Sequence, residues 1–343
     1  MPVNRDYFGC LQDGRSVHRI RLSDPRCDFA VEILEYGARL RSIMVPDRGG
    51  TPRNALLSYE TLREYELDTA QLGGTIGRCA NRIAVPDEAG LSLTRNDGTN
   101  HFHGGTVGFS RSLWRTTAWA DGATPSARLE HYSGDGDEGY RGNATVSIEF
   151  SIVAPMCLRA TIEATCDQST PFNVTLHPYF NLSGKAGSSI EDHELSIAAN
   201  TVLLLGRNRL PTGEIASVAD SPFDFRRRKR VGACIDANHP QLRLMQGYDH
   251  YWPLDDRARI AADVLSPHSG IRLRLHTNQR GLQVYTGNHL ALAAPGGFGR
   301  RTGLCLEPHG FPDALNHPGF PSIMLHPGET YRHETIYAFS NAE

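Results

Sequence analysis

Apolar and polar residues alternate in short runs along most of the chain, and turn-forming residues separate the runs. An alternation with a period of two residues is typical of strands that bury one face. Segments such as Asp47-Arg-Gly-Gly and His326-Pro-Gly supply the turns between them. We therefore predict strands over residues 29–35, 40–46, 91–94, 144–153, 158–165, 193–204, 271–277, 282–286, 303–307 and 331–339.

Helical patterns are rare in the sequence. The clearest one is SYETLREYE over residues 58–66, with Ser58 as the N-cap of a short amphipathic stretch. Strands do not alternate with helices, and no internal repeat is found. Many short strands with glycine and proline turns predict an all-β sandwich or barrel. Because all-β domains often exceed the usual domain length, residues 1–343 are predicted to form a single domain.

The charge balance and the cysteine content exclude several classes of protein. The 343 residues include 35 lysine and arginine residues against 38 aspartate and glutamate residues, a net charge of −3 with neutral histidines. Such a balance offers no basic surface to nucleic acid or to an anionic membrane. No apolar run has the length of a membrane span or a signal peptide. The seven cysteines form no Cys-x-x-Cys pair, so we expect reduced thiols and a cytoplasmic location.

Two short motifs resemble ligand sites but have simpler interpretations. Residues 134–139, GDGDEG, match the Gly-x-Gly-x-x-Gly phosphate loop, but no helix pattern follows and the acidic residues would repel phosphate. We predict an acidic loop there. Residues 226–230, RRRKR, form a basic run without interleaved aromatic residues, so we predict a solvated loop or a strand edge.

His101 and His103 stand two positions apart, which predicts that both imidazoles lie on one face of a strand. Such a pair suits a metal ion, but no carboxylate follows within reach in the sequence. The alternatives are one functional histidine in a glycine-flanked loop and two structural histidines. The residues alone leave these three interpretations open.

Other polar residues stand at the ends of apolar or aromatic segments. His177 precedes a proline, which biases it to an extended conformation, and Tyr179 and Phe180 offer flat surfaces for a sugar ring. Glu307 follows an apolar run, where a carboxylate is costly to bury unless it is hydrogen-bonded or used. Asp249 lies among aromatic residues, as carboxylates of carbohydrate sites do. The alternatives are a buried structural histidine and solvated carboxylates.

Eight stretches of the chain are together similar to the aldose 1-epimerases, also called galactose mutarotases. Each stretch is weak evidence by itself, but their shared order over most of the chain makes the resemblance strong. The matching stretches are GRCANRI (77–83), NHFHGG (100–105), GDGDEGY (134–140), HPYFNL (177–182), PFDFR (222–226), GYDH (247–250), QVYTGN (283–288), and LCLE (304–307) with FPDA (311–314).

The resemblance implies a fold, an activity and a set of roles. The fold is a large antiparallel β-sandwich of the galactose mutarotase type with few short helices. The activity is the interconversion of the α and β anomers of a free aldose, such as galactose or glucose, with no cofactor and no metal. His177 is then the general acid, Glu307 the general base and His103 a second active-site histidine. The residues expected to hold the sugar are Asn81, Arg82, Asp249 and Gln279, with Tyr179 as an aromatic surface.

The expected chemistry consists of two coordinated proton transfers. The anomeric hydroxyl loses a proton to Glu307 while the ring oxygen gains one from His177, and the open aldehyde recloses with the roles reversed. In the resting state Glu307 is expected to be ionised and His177 to be protonated. Pairing should then raise the pKa of the imidazole and lower the pKa of the carboxyl group.

Two other functions stay open from the sequence. An inverting glycosidase also needs an acid and a base, and a sugar-binding regulator would keep the fold without catalysis. A monosaccharide is the expected partner, and the protein is expected to be a monomer or a homodimer. Pro178 stands where many members have serine, so it is expected to shift the hydrogen bonding of the acid. Arg280 stands where many have proline, and it is expected to alter the sugar preference.

Overall fold

A computed structural model describes residues 2–85, 92–255, 259–293, 295 and 297–342 of the chain. Its regular structure consists mostly of short strands. The strands of the first half are β1 (Val3–Cys10), β2 (Ser16–Ser23), β3 (Ala30–Leu34), β4 (Arg39–Pro46), β5 (Pro52–Asn54), β6 (Thr75–Ile76), β7 (Arg82–Ala84), β8 (Asn100–Phe102), β9 (Arg115–Ala120), β10 (Ser126–Ser133), β11 (Ala144–Ala154), β12 (Cys157–Cys166) and β13 (Thr170–Pro171).

The second half of the chain is built in the same way. Its strands are β14 (Thr175–Leu176), β15 (Tyr179–Phe180), β16 (Glu194–Ile197), β17 (Thr201–Leu205), β18 (Pro211–Ser217), β19 (Lys229–Arg230), β20 (Asp249–Pro253), β21 (Ala262–Leu265), β22 (Ile271–Thr277), β23 (Gly281–Tyr285), β24 (Leu304–His309), β25 (Met324–Leu325) and β26 (Tyr331–Asn341). The α-helices in the described ranges are short: α1 (Leu62–Leu67), α2 (Pro240–Met245) and α3 (Leu290–Ala293). Over those ranges, no helix has the length and apolar character to cross a membrane.

The largest sheet has nine strands in the order β19-β16-β21-β22-β26-β12-β11-β10-β9. Its strands pair in antiparallel ladders. Along β12 every second side chain is buried, as Leu158, Ala160 and Ile162 illustrate. The period of two residues in the sequence therefore becomes one apolar wall of the core.

A six-stranded sheet in the order β15-β24-β23-β20-β17-β18 packs against the first. The ring centroid of Phe180 on β15 lies 5.7 Å from that of Tyr337 on β26, and both rings are buried. Inner residues of the two sheets share one hydrophobic core. This arrangement confirms the predicted large antiparallel β-sandwich.

Smaller sheets complete the described part of the fold. One is a five-stranded meander from β1 to β5 in chain order, and the others are the two-stranded pairs β6–β14, β7–β8 and β13–β25. The pairs β6–β14 and β7–β8 hold the backbone beside the residues that the sequence analysis singled out at 81–82, 103 and 177.

Most predicted strands are confirmed, with ends that move by one or two residues. Residues 271–277 form β22, and residues 144–153 lie within β11. The predicted strand 193–204 is two strands, because the chain leaves the nine-stranded sheet after β16 and enters the six-stranded sheet with β17. The predicted strand 91–94 is wrong over residues 92–94, which form no strand, and residue 91 lies outside the described residues.

The predicted helix over 58–66 starts later, as α1. Thr61 is its N-cap in place of Ser58. The Thr61 hydroxyl accepts from the backbone N–H of Glu64, and the Glu64 carboxylate accepts from the backbone N–H of Thr61. This capping box satisfies N–H groups at the start of the helix. The hydroxyl of Ser58 accepts instead from the side-chain amide of Asn54.

The two motifs with simpler interpretations have structural roles, as predicted. Within residues 134–139, the carboxylate of Glu138 accepts from the backbone N–H of Val107 and so fixes the neighbouring loop. Within the basic run, Arg228 pairs with Asp263, and β19 forms an edge of the nine-stranded sheet.

A buried ion pair fixes the segment between α1 and β6. The carboxylate of Asp68 accepts from the backbone N–H groups of Ala70 (2.8 Å) and Leu72 (2.7 Å). It also lies 3.7 Å from the guanidinium of Arg39, and neither side chain is more than 1% exposed. Arg39 donates to the carbonyl oxygens of Leu72 and Ser110. The carboxylate of Asp68 and the guanidinium of Arg39 therefore both bind the backbone of this segment. Burial raises the pKa of Asp68, and the charge of Arg39 opposes this shift.

Asp68→Ala should destabilise the protein strongly, because it leaves the charge of Arg39 buried without its partner. Breaking a buried pair lowers the free energy of unfolding by about 3–5 kcal/mol. Urea unfolding followed by circular dichroism measures this loss. The control is Asp13→Ala, which removes an exposed carboxylate paired with Arg15 and should leave the midpoint nearly unchanged. Equal midpoints for the two variants would contradict the role given to Asp68.

Candidate active site

The face of the six-stranded sheet that points away from the core borders a cavity of about 180 Å³ that opens to solvent. At roughly 15 Å³ for each water-sized group, it holds about a dozen such groups, the size of a monosaccharide. Aromatic rings, amides, carboxylates and cations are mixed in its wall, as in sites for polar small molecules. The wall consists of Thr69, Ala70, Gln71, Asn81, Arg82, Phe102, His103, His177, Tyr179, Arg209, Asp249, Gln283, Tyr285, His289 and Glu307.

Glu307 and His177 form a buried pair in the wall of this cavity. Alternation along β24 directs Leu304 and Leu306 to the core and Glu307 to the cavity. His177 lies in the two-residue link between β14 and β15. Its Nε2 is 3.5 Å from Oε1 of Glu307, and the two side chains are 5% and 3% exposed. An acid and a base are therefore placed side by side where both can reach a bound molecule.

Contacts with the backbone and with two side chains fix the imidazole of His177. The backbone N–H of His177 donates to the carbonyl of Gly74, and the backbone carbonyl of His177 accepts from the N–H of Gly73, both at 2.9 Å. Nδ1 lies 3.7 Å from Sγ of Cys305, and the ring centroid lies 5.0 Å from that of Tyr179. Burial raises the pKa of the Cys305 thiol well above its usual value, so the group at Nδ1 is uncharged. These contacts leave Nε2 for chemistry.

His103 reaches the cavity through an unusual backbone conformation. It has φ of 50°, Asn81 has φ of 63°, and the two residues bond to each other. The backbone N–H of His103 donates to the backbone carbonyl of Asn81 (3.0 Å), and the backbone N–H of Asn81 donates to Nδ1 of the His103 ring (3.3 Å). Because Nδ1 accepts, the neutral imidazole carries its proton on Nε2. Burial, followed by the nearby His177, holds the pKa of His103 well below its usual value. His103 is thus a neutral hydrogen-bond donor.

The prediction that His101 and His103 share one face of a strand is wrong. β8 ends at Phe102, and the left-handed backbone of His103 turns its ring away from the strand. The ring of His101 is fully buried between two fixed partners. Its Nδ1 lies 2.7 Å from the carbonyl oxygen of Thr94, and its Nε2 lies 2.6 Å from the hydroxyl of Tyr140. Of the interpretations left open, one functional and one structural histidine fits this geometry.

The donor chemistry of the site argues against a metal ion. Ligand atoms of His103, His177 and Glu307 lie within 4.8 Å of one another, a set of two imidazoles and one carboxylate. However, the N–H of Asn81 occupies the lone pair on Nδ1 of His103, so that its Nε2 is protonated and offers no lone pair. The three residues therefore do not fit a bound metal ion.

Burial reverses the expected charge state of the acid–base pair. It raises the pKa of Glu307 well above its usual value, and the nearby carboxylate of Asp249 adds to this effect. It also lowers the pKa of His177 to about 4, with the charges of Arg39 and His309 acting in the same direction. The attraction between the two charges alone predicts the opposite shifts, which is wrong here because both charges also lose their surrounding water. When the free pair holds one proton, burial therefore favours the form in which the proton is on the carboxyl group and neither side chain is charged.

Asp249 and Arg82 both reach the cavity and are each held by a second side chain. The amide of Gln283 donates to Oδ1 of Asp249 at 2.6 Å. Burial raises the pKa of Asp249, and the charge of Arg82 partly offsets this shift. Nε of Arg82 donates to Asp97 at 2.7 Å, and its guanidinium lies 4.4 Å from the ring centroid of Phe102. Both groups are therefore oriented before any ligand binds.

Gln279 does not belong to this site, and Gln283 takes its place. Gln279 lies in the turn between β22 and β23, where its amide donates to Asn278 and it lines a separate cavity together with Arg280. Arg280 therefore lies away from this cavity, and its expected effect on the sugar preference stays a prediction. Gln283 lies on β23, directly opposite Glu307 of β24 in the ladder. Gln283 is the first residue of the matching stretch QVYTGN, which is the signal in the sequence that could have identified it.

The aromatic residues divide between the cavity and the core. Tyr179 lines the cavity, and its hydroxyl donates to the carbonyl of Ala70. Phe180 points to the opposite face of β15 and is fully buried against Tyr337, so the expectation that it faces a sugar is wrong. Tyr285 belongs to the wall, and the sequence analysis missed it. Gln71, Arg209 and His289 were missed too, since they lie outside the matching stretches, and Phe102 was missed although it lies within NHFHGG.

The imidazole of His177 should titrate near pH 4, because protonation adds a charge to a buried site. Long-range ¹H–¹⁵N spectra of protein labelled at histidine report the protonation of each ring as pH is varied. The spectrum of His177→Asn identifies the signal by its absence. A midpoint above pH 6.5 would contradict the desolvated pair and restore the ion pair expected from the sequence.

Comparisons with known proteins agree with this geometry. A family model described as aldose 1-epimerase matches residues 18–338. The chain is 35% identical to the galactose mutarotase of Bos taurus over the full length of both proteins. It is 33% identical to the aldose 1-epimerase of Escherichia coli, over 95% of this chain and 96% of that protein. The crystal structure of galactose 1-epimerase from Lactobacillus acidophilus superposes with a TM-score of 0.86 at 28% identity, covering 99% of this chain and 100% of that one.

Proposed function

The chain belongs to the aldose 1-epimerase family and is an aldose 1-epimerase, and we propose that Glu307 and His177 carry out its two proton transfers. The observation that supports these roles is the separation of 3.5 Å between Oε1 and Nε2 in a cavity of monosaccharide size. The substrate we propose is a free aldose such as galactose or glucose.

Ring opening uses the one proton that the pair shares. In the reacting form, Glu307 is ionised and His177 is protonated. Glu307 takes the proton of the anomeric hydroxyl, the bond from C1 to the ring oxygen breaks, and Nε2 of His177 gives its proton to that oxygen. The pair then holds its proton on the carboxyl group. Rotation about the C1–C2 bond and the reverse transfers give the other anomer.

Desolvation makes both groups better suited to these roles. A raised pKa makes the carboxylate of Glu307 a stronger base, and a lowered pKa makes the imidazolium of His177 a stronger acid. After ring opening the pair is uncharged, which is the form that burial favours. The site thus lowers the energy of the open-chain state relative to the reacting ion pair, whose charges the sugar hydroxyls stabilise on binding.

The remaining polar residues are assigned to binding and orientation. His103 donates from Nε2 toward the ring oxygen, and Asn81 holds that imidazole in the required tautomer. Arg82 and Asp249 hold hydroxyl groups of the sugar, and Gln283 both orients Asp249 and offers its own amide. Tyr179 supplies an apolar surface against the C–H groups of the ring. Acid–base chemistry of this kind needs no cofactor and no metal.

The domain organisation, the cellular location and the assembly state are also part of the proposal. We propose that residues 1–343 form one domain, because residues from 69 to 307 line a single cavity and the family match spans residues 18–338. We also propose a cytoplasmic location, in keeping with the free cysteines. The protein acts as a monomer or a homodimer on a free monosaccharide.

Glu307→Gln and His177→Asn should each lower kcat by roughly 10²–10⁴-fold, the usual contribution of one acid or base. The wild-type profile of kcat/KM against pH should be a bell whose limbs belong to the coupled pair. Below about pH 4 His177 takes a second proton, so the acid limb follows His177. At high pH Glu307 loses the shared proton, so the alkaline limb follows Glu307. Polarimetry on fresh α-D-glucose and α-D-galactose gives the rates.

Circular dichroism confirms that both variants are folded before their rates are compared. In the residual activity, His177→Asn should lack the alkaline limb, because the rate then depends only on ionisation of Glu307. Glu307→Gln should lack the acid limb, because the rate then depends only on protonated His177. Wild-type rates with an unchanged bell in both variants would contradict the assignment. A chromogenic glycoside separates the alternatives: release of its aglycone would indicate a glycosidase, and sugar binding without any mutarotation would indicate a regulator.

Gln283→Ala should lower kcat/KM by about 5–150-fold, because Asp249 loses its donor and the sugar loses an amide contact. This corresponds to about 1–3 kcal/mol for hydrogen bonds to a charged group. Gln279→Ala is the matched control, since the same side chain is removed from a separate cavity, and it should keep the wild-type value. The opposite order of effects would restore Gln279 as the residue that holds the sugar.

A further inference from the structure

Arg209 is a cation in the cavity wall that no protein group neutralises directly. Its side chain is exposed, and within the described residues its guanidinium has neither an ion-pair partner nor a hydrogen-bond partner. Arg82, the other arginine of the wall, donates instead to the carboxylate of Asp97 at 2.7 Å. The hydrogen-bonding capacity of Arg209 is therefore available to a ligand.

The loop between β17 and β18 fixes the position from which Arg209 reaches the cavity. Arg209 adopts the left-handed conformation, with φ of 62°, which is uncommon for a residue with a Cβ. Its N–H donates to the carbonyl of Gly206 at 2.9 Å. The side chain of Asn208 accepts from the N–H of Leu210 at 3.3 Å and closes the turn. The arginine is thus carried by a structured turn.

His289 lies in the same wall as Arg209. The backbone N–H of His289 donates to the hydroxyl of Tyr285 at 2.9 Å, and this bond fixes the backbone of His289 beside the cavity. Burial and the charge of Arg209 lower the pKa of His289, so its ring is a neutral donor at pH 7. The charge of Arg209 also opposes, as a minor effect, the rise that burial causes in the pKa of Asp249. The field of Arg209 therefore acts inside the cavity.

The charges of the cavity are distributed unevenly. Glu307 is buried and Asp249 is half-buried, and both have raised pKa values, which reduces their negative charge. They lie where C1 and the ring oxygen must sit if Glu307 and His177 transfer protons. Arg209 is the exposed arginine of the wall, whereas Arg82 is buried, so Arg209 faces the part of the sugar that is remote from C1.

We propose that Arg209, with His289 beside it, binds an anionic group on the sugar away from C1, so that an acidic aldose is the preferred substrate. The inference rests on the proposed function and names its substrate class. A carboxylate or a phosphate matches the planar guanidinium with two parallel hydrogen bonds, which a neutral hydroxyl does not. Two sources carry this chemistry: a hexuronate and a hexose phosphate.

Magnetisation exchange between the anomeric ¹H signals measures epimerisation of all candidate sugars under one set of conditions. The panel comprises galactose and glucose, galacturonate and glucuronate, and galactose 6-phosphate and glucose 6-phosphate. We expect kcat/KM for one acidic pair to exceed that for the neutral pair at least tenfold. The favoured pair identifies the source as carboxylate or phosphate. This preference should weaken as salt is added, because the contact is charged and near solvent.

Arg209→Gln should lower kcat/KM for the favoured acidic sugar at least tenfold more than for the corresponding neutral sugar. The control is Arg207→Ala, which removes an exposed arginine of the same loop that does not line the cavity. It should keep both values. Higher kcat/KM for the neutral sugars in the wild type, or equal losses for both classes in Arg209→Gln, would overturn the inference and leave the epimerase intact. Failure to epimerise any sugar of the panel would instead refute the proposed function.

Discussion

Removal of Glu307 and His177 from water is the constraint on which the rest of the site depends. Both side chains are at most 5% exposed and lie 3.5 Å apart. Their charges attract, but each charge also loses its hydration, and in this cavity the loss sets the direction of both pKa shifts. The carboxylate becomes a stronger base and the imidazolium a stronger acid, which are the properties that ring opening of an aldose requires. Buried ionisable groups reduce stability, so the surrounding fold must hold them against their tendency to reach solvent.

The sandwich meets this requirement with backbone contacts and uncharged neighbours. β24 is a buried strand with the core on one face and the cavity on the other, so Glu307 is placed by the sheet itself. His177 is held through its own backbone by Gly73 and Gly74, in the segment that the ion pair of Arg39 and Asp68 stabilises. A network that stabilises the fold thus also orients the imidazole of His177. The same logic applies to His103, whose tautomer follows from a backbone N–H rather than from a charge.

Local features of the fold were readable from the sequence. Alternation over residues 158–165 predicts β12, and the eight matching stretches predict both the sandwich and the proximity of His177 to Glu307 across 130 positions. Errors arise where a contact overrides the local pattern. The helix begins at a capping box instead of at Ser58, and the histidine pair at 101 and 103 separates because a left-handed residue ends the strand. Gln279 and Gln283 are the same residue type four positions apart, and the register of β23 against β24 places Gln283, not Gln279, beside Glu307.

By itself the sequence determined the class of fold, the family and seven of the fifteen residues that line the site, because alternation, turns and motifs are local properties of the chain. The tertiary structure decided which glutamine faces the cavity, which histidine is structural, and on which partner of the acid–base pair the shared proton resides. It also decided that Arg209 faces the cavity without a protein partner in the described residues. These outcomes depend on desolvation and on neighbours from distant strands, and both exist only once the sheets have packed.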